Sequence, residues 1–157
     1  MSLVLFDEKF LPQAIALIDQ AQITLEISTF KAQMTHKPSG KKLLVFFEKL
    51  IEKAKEGIKI KMLVNWNTEK QSVARTNQYV IEEMKKHNVQ VKTLPNNRCC
   101  HAKIIIADRA TALIGSHNLS ISSVHKNFEL SYLTSNREVV HEISERFLYS
   151  WNDAKKY

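Results

Sequence analysis

The sequence predicts an α/β fold, one mixed β-sheet sandwiched by helices on both faces. Three observations carry that expectation. Apolar residues recur at helical spacing in four separate stretches. Short β-type runs lie between and after them. The most apolar of these runs, Ile104 to Ala107 behind Lys103, is unbroken by polar residues, as expected of a strand covered on both faces.

The elements follow in order. Phe10, Ala14, Leu17, Ile18 and Ala21 keep helical spacing, so a helix covers about 8–20, with Pro12 suited to its first turn. Ile23, Leu25, Ile27 and Thr29 alternate with polar residues and read as a strand. Lys31 to Lys42 is polar and carries a turn signal at Pro38-Ser39-Gly40. Leu43, Phe46, Phe47, Leu50, Ile51 and Ala54 form the inner stripe of a second helix, which Gly57 is placed to end. Ile58 to Val64 is a strand, Asn65 to Thr68 a loop, Val73 to Lys86 a helix and Val89 to Thr93 a short strand. Pro95-Asn96-Asn97 breaks the chain. Strands then cover Lys103 to Ala107, Ala112 to Ile114 and Phe128 to Leu133. A closing helix carries Val139, Val140, Ile143, Phe147 and Trp151, with Asn136 as its N-cap.

The 157 residues fit a single domain, 1–157, and no internal repeat or linker divides them. No apolar run reaches the length of a membrane span, and the first residues lack the basic and apolar regions of a signal peptide. Two adjacent cysteines, Cys99 and Cys100, cannot build a disulfide framework, which points to a reducing, cytoplasmic setting. Adjacent thiols beside a histidine also have poor metal-ligand spacing, so no metal is expected. The 23 basic residues outnumber the 16 acidic ones, a balance of +7 that favours polyanionic partners. Residues 31–61 alone hold nine lysines, which equally describes a solvated helix face.

The chemistry is concentrated in one stretch. His101-Ala102-Lys103 is followed by four residues and Asp108, then six residues and Gly115-Ser116-His117-Asn118. Six specified residue types at fixed offsets arise by chance in about one chain in a million of this length. Residues two apart on a strand share a face, so His101 and Lys103 point the same way, and Ile105 beyond them walls the site. A turn around Asp108-Arg109-Ala110 returns the chain, bringing Ser116 and Asn118 beside them at a sheet edge. Such a set suits a phosphate ester. Lys103, Ser116 and Asn118 can hold its oxygens and stabilise developing charge. An imidazole titrates near neutrality, so His101 can act as nucleophile or acid–base group. A nucleophilic imidazole needs an acceptor for its other nitrogen, and Glu129 is placed to provide one. Singly, each residue has an ordinary structural explanation; the spacing is what argues for a site.

This pattern, HxK(x)4D(x)6GSxN, resembles the signature of the phospholipase D superfamily, over about 101–131. The resemblance implies that His101 attacks phosphorus to form a phosphohistidine, without a metal or other cofactor. Lys103 and Asn118 would hold phosphate oxygens, Ser116 would assist, and Asp108 would mainly tie the turn. The family's mechanism needs two motifs and this chain has one. The resemblance therefore implies a homodimer whose composite site holds His101 from both chains. Single-motif members of this kind suggest a nuclease, making nucleic acid the expected substrate. A phospholipid or cardiolipin phosphodiesterase and a non-catalytic nucleic-acid-binding subunit are the alternatives. Further candidates for substrate contact are Arg98 and Lys126 flanking the motif, Trp66 in a loop after a strand, and His117 at the variable motif position. Trp66 can equally be a packed surface residue, and His117 simply tolerated.

Overall fold

A computed structural model describes the chain apart from residues 68 and 70; Thr68, the end of the expected loop, therefore lies outside the described residues. Eight strands form one sheet: β1 (Ser2–Phe6), β2 (Thr24–Thr29), β3 (Lys59–Val64), β4 (Gln90–Thr93), β5 (Lys103–Ala107), β6 (Thr111–Gly115), β7 (Leu130–Thr134) and β8 (Lys155–Lys156). Their spatial order is β1-β7-β6-β5-β2-β3-β4-β8. β2, β3 and β4 are parallel neighbours, and every other pairing is antiparallel. The helices are α1 (Phe10–Gln20), α2 (Lys41–Lys55), α3 (Gln71–Lys86), α4 (Ile121–His125) and α5 (Arg137–Asp153).

Parallel strands need crossovers, and successive right-handed crossovers in one direction put their helices on one face. Accordingly α2 and α3 join α1 over Leu25, Ile27, Ile60, Met62 and Ile105, with Phe46, Phe47 and Ile81 at the centre of that core. The opposite face is covered by α5, whose Phe147 and Trp151 pack on Leu63, Ile106 and Ala112. The expected sandwich is therefore present, with α1, α2, α3 and the short α4 on one face and α5 on the other.

Most elements fall where the sequence places them. Asn136 caps α5 by accepting the Val139 N–H at 3.1 Å, and Gly57 follows α2 with φ 91°, a left-handed conformation that glycine adopts without strain. Three elements have no counterpart in the sequence reading: β1, α4 and β8. β1 and β8 are edge strands, and α4 has five residues, so none carries a long enough pattern to stand out. The alternation in β2 also misleads in one respect. Its polar positions Glu26 and Ser28 face α5, not water, and are buried; Arg109 Nη2 meets Glu26 Oε1 at 2.9 Å, and Ser28 Oγ donates to the Ala102 carbonyl at 2.9 Å.

Candidate active site

β5 and β6 form a hairpin in register Lys103↔Gly115 through Ala107↔Thr111. The connecting turn uses Asp108 (φ 54°) and Arg109 (φ 51°), closed by the Ala110 N–H on the Ala107 carbonyl at 3.0 Å. This geometry brings His101, before β5, alongside Ser116, after β6. β7 adds Glu129 at the same end, because Ser131 pairs with Gly115. The expectation of a site at a sheet edge is corrected here. β5 and β6 are interior strands, so the polar groups gather at one end of the sheet, where β2 and β3 also finish. Interior strands have neighbours on both sides, which fixes the site more firmly than an edge would.

Lys103 reaches back to His101. Its Nζ lies 3.0 Å from Nδ1 and 2.6 Å from the main-chain oxygen of that residue. Burial lowers the lysine's pKa, while the nearby cysteines and Glu129 oppose the shift. Phe30, the first residue past β2, sets its ring 5.0 Å from the His101 ring, and the Lys103 ammonium sits 5.5 Å from the same phenyl centre. The residues on either side of His101 are fixed. Asn65 Oδ1 accepts the Cys100 N–H at 2.9 Å, and Ser28 holds Ala102.

Glu129 is buried among donors. Ser116 Oγ donates to Oε2, Ser123 Oγ donates to Oε1 at 2.9 Å, and Asn127 Nδ2 donates to Oε1 at 3.0 Å. Burial pushes its pKa up, but these bonds outweigh it and hold the carboxyl below its ordinary range, hence ionised. Asn118 is held from two directions: its Oδ1 accepts the Lys31 N–H at 3.2 Å, and its own N–H donates to Ser123 Oγ at 2.8 Å. Gly115 is required by space. A Cβ there would lie 2.3 Å from Ser131 Oγ and 2.4 Å from the Leu130 carbonyl.

Not every expected residue joins this group. Asp108 stands at the other end of β5, five residues from Lys103 and so roughly 16 Å away. Its carboxylate accepts the N–H groups of Gln22, Ile23 and Thr24 at 2.8, 2.7 and 2.8 Å. Burial alone would raise its pKa; the three backbone donors prevail and lower it. His117 points inward instead of toward a substrate. It is stacked on Phe10 at 4.2 Å, with Nδ1 2.7 Å from Ser131 Oγ and Nε2 3.0 Å from the Asp7 carbonyl. Trp66 follows β3 at the correct end of the sheet, but it is half-buried, edge-on to Tyr157 at 4.8 Å. Arg98 is exposed and lines a hollow of about 270 Å³ with His101, Cys99 and Arg146. Lys126 is exposed at the end of α4, three residues before Glu129. Among the described residues, no group of acidic, histidine or cysteine side chains is arranged to hold a metal ion, Cys99 and Cys100 included.

Five positioning residues escaped the sequence reading: Ser28, Phe30, Asn65, Asn77 and Ser123. All but Asn77 are described above. Asn77 lies within the apolar stripe of α3, and its side chain ties together the ends of β2 and β3: Oδ1 accepts from Ala32 N–H at 2.8 Å, and Nδ2 donates to the Phe30 and Asn65 carbonyls at 2.9 and 2.8 Å. An asparagine on an otherwise buried stripe was the available signal, since a buried amide needs partners.

The model of the family described as cardiolipin synthase, PLD-like domain, matches residues 14–151. The chain belongs to this phospholipase D-like family. Its fold is that of Nuc, a phospholipase D family member from Salmonella typhimurium, with a TM-score of 0.81 at 18% identity over 100% of this chain and 99% of that one. NucT from Helicobacter pylori matches with a TM-score of 0.74 at 17% identity, over 100% and 99% of the two chains. The archaeal chromatin protein TrmBL2, whose structure shows a novel mode of DNA binding, matches at 0.67 and 16% identity, over 99% of this chain and 54% of its own. No curated protein sequence matches. Among the described residues, no helix of this phospholipase D-like chain is long and apolar enough to cross a membrane.

Proposed function

We propose that this protein is a phosphodiesterase that cleaves nucleic acid, without a metal, at a site shared between two copies of the chain. The observation that carries the reading is the convergence of His101, Lys103, Ser116 and Glu129 at one end of the sheet. In this reading the phosphate takes the place of His101 as the partner of Lys103, whose ammonium then faces a non-bridging oxygen. Asn118 provides a further donor through Nδ2, while the single hydroxyl proton of Ser116 stays directed at Glu129. Three hydrogen bonds to Glu129 leave room for a fourth, because a carboxylate accepts about four, and that fourth is the N–H of His101. Asp108 serves as scaffold.

The chemistry balances across two histidines. A neutral imidazole nitrogen of one His101 attacks phosphorus; the P–N bond forms and the P–O bond to the leaving group breaks. The leaving oxygen takes a proton from the His101 of the second copy. That histidine then removes a proton from water, whose oxygen attacks phosphorus and breaks the P–N bond. One chain supplies one such histidine, so the scheme requires a dimer. An apolar groove of about 630 Å³ supports one: it includes Ile104, Ile114, Leu130, Tyr132 and Ile143, adjoins Lys103, and lies between α5 and the β6–β7 side of the sheet. Phe128, beside Glu129, is a further apolar side chain, 84% exposed. The positive charge and the likeness to a chromatin protein favour nucleic acid as substrate.

The test is cleavage of labelled single- and double-stranded DNA and RNA, and of a phospholipid, in EDTA, beside His101→Ala. Nucleic-acid cleavage that survives EDTA and is lost in the variant is the expected result. Lipid turnover alone, or binding without turnover, refutes the proposal. Sedimentation of the active species as a monomer refutes the shared site.

A further inference from the structure

The two flanks of α5 differ in character. Toward β6 and β7 lies the apolar groove described above. Toward β3, β4 and β8 lies a strip of lysines on the same face of the sheet. Lys59 and Lys61 alternate along β3, and Lys92 of β4 stands directly opposite Lys156 of β8. Lys61 and Lys92 both lean on the buried Trp151 ring, at 5.5 and 4.7 Å from its centre. Lys59 and Lys61 line a hollow of about 250 Å³ with Arg109.

The charge of these lysines is not neutralised by an ion pair among the described residues; Lys92 Nζ instead donates to the Trp151 carbonyl at 3.0 Å. On α2, by contrast, Lys49 pairs with Asp19 and Glu52, and Lys53 pairs with Glu56. Of the nearby acids, Glu26 meets Arg109 through Oε1 and leaves its buried Oε2 without a hydrogen-bond partner, and Asp108 accepts from the backbone of residues 22–24. Like charges gathered without counter-charges repel each other, and a polyanion relieves that repulsion.

We propose that this lysine strip is an accessory track that holds the backbone of a polynucleotide away from the reacting phosphate. The proposal rests on nucleic acid being the substrate. Strand rise and spacing put Lys59 about 16 Å from Lys156, the length of roughly five stacked nucleotides. The strip begins near the reacting end: Lys92 pairs beside Leu63, and Leu63 lines the hollow that contains His101 and Arg98. A lipid surface fits less well. Membrane-binding faces combine cations with apolar side chains that enter the interface. The large apolar residue here, Trp151, is buried beneath the lysines, and Ile23 is a single exposed aliphatic at one end.

The test compares the four-site variant Lys59→Gln, Lys61→Gln, Lys92→Gln, Lys156→Gln with the corresponding four-site Lys→Arg variant. Binding of a fluorescent 20-nucleotide strand is measured by anisotropy in a His101→Ala background, so that no chemistry is needed, between 50 and 200 mM salt. Four phosphate contacts release roughly 0.7 counterions each on a single strand. The slope of log affinity against log salt should fall by about 3 in the glutamine variant, making its affinity roughly 60-fold less salt-sensitive over that range. The arginine variant should keep the wild-type slope. With His101 restored, hydrolysis of a small chromogenic phosphodiester should be unchanged by the glutamine changes. The Lys59→Gln, Lys156→Gln pair, both exposed sites, gives half the effect without risk to Trp151 packing. An unchanged slope in the glutamine variant overturns the track. So does loss of binding to phosphatidylglycerol vesicles with oligonucleotide binding intact. Failure of the wild type to cleave nucleic acid overturns the catalytic reading instead, and leaves a binding result standing by itself.

Discussion

Replacing Asp108 separates scaffold from chemistry, because the signature contains this residue yet the fold carries it away from His101. Its Oδ1 accepts two backbone N–H groups, from Ile23 and Thr24, and Oδ2 accepts a third from Gln22. Hydrogen bonds to a charged group contribute about 1.5–3 kcal/mol when buried. The Gln22 and Ile23 donors are exposed, and water replaces much of what they lose. A reasonable sum for Asp108→Ala is therefore about 2 kcal/mol from lost bonds. Another 1 kcal/mol or so comes from placing alanine at φ 54°. At roughly 3 °C per kcal/mol for a chain of this size, Tm should fall by about 9 °C. Asp108→Asn tolerates the left-handed conformation and keeps the oxygen that serves Ile23 and Thr24. It loses the Gln22 bond and the charge, so about half the fall is expected. Calorimetry or circular dichroism gives the Tm values, and kcat/KM on a chromogenic phosphodiester is measured well below them. Both variants should retain most of the wild-type activity when folded. If Asp108→Asn keeps the native Tm but is as inactive as His101→Ala, the scaffold assignment is wrong.

Three further outcomes are expected. Gly115→Ala should fail to fold or lose more than about 3 kcal/mol, because the added methyl meets Ser131 and Leu130 in the adjoining strand; soluble yield and Tm check this. His117→Gln should lose about 2 kcal/mol of stability, through its two hydrogen bonds and its stacking on Phe10, with kcat/KM retained. Burial lowers the His117 pKa, so its contribution is present above the unfolded value near 6.5 and is lost as pH falls through the lower folded value. Urea midpoints from pH 7 to 5 should therefore decline less in the variant, and an equal decline refutes the assignment. Glu129 also has a lowered pKa, despite the opposing effect of burial. Its stabilisation is present above about 4.3 and disappears as pH falls through its folded value. Glu129→Gln should flatten the acid limb of urea stability below pH 5, and an unaltered limb counts against the ionised carboxylate.

Much of this molecule is legible in its sequence for reasons that can be named. The helices α1, α2, α3 and α5 each repeat an apolar stripe over eleven or more residues, long enough for periodicity to be unambiguous. β5 shows itself by apolar residues on both faces. β1 and β8 do not: β1 buries only Leu5, and β8 is two lysines whose pairing depends on where α5 delivers them. The chemistry-bearing residues were visible as types and spacings, but the side chains that position them were not. Asn77 bonds to Phe30 and Asn65 across 47 and 12 residues of sequence, and Ser123 joins Asn118 to Glu129. Those contacts arise only when the sheet order is known. His117 shows the opposite error: a motif neighbour looks functional in one dimension, yet the alternation after β6 turns it into the core.

The spacing of the signature has a structural origin in the hairpin itself. From Lys103, four residues of strand lead to Asp108 at the turn, and the return strand reaches Gly115 exactly opposite Lys103. The interval between the lysine and the Gly-Ser pair is thus set by the length of the ladder, not by contact between neighbours in sequence. Asp108 fixes one end of this ladder to the segment before β2, while the other end carries Lys103 and Ser116. A slip of one residue in the ladder would reverse the face of each side chain on β6 and remove Gly115 from the one position where Ser131 leaves no room for a Cβ. Asp108 and Gly115 therefore hold the hairpin register that sets His101 beside Ser116.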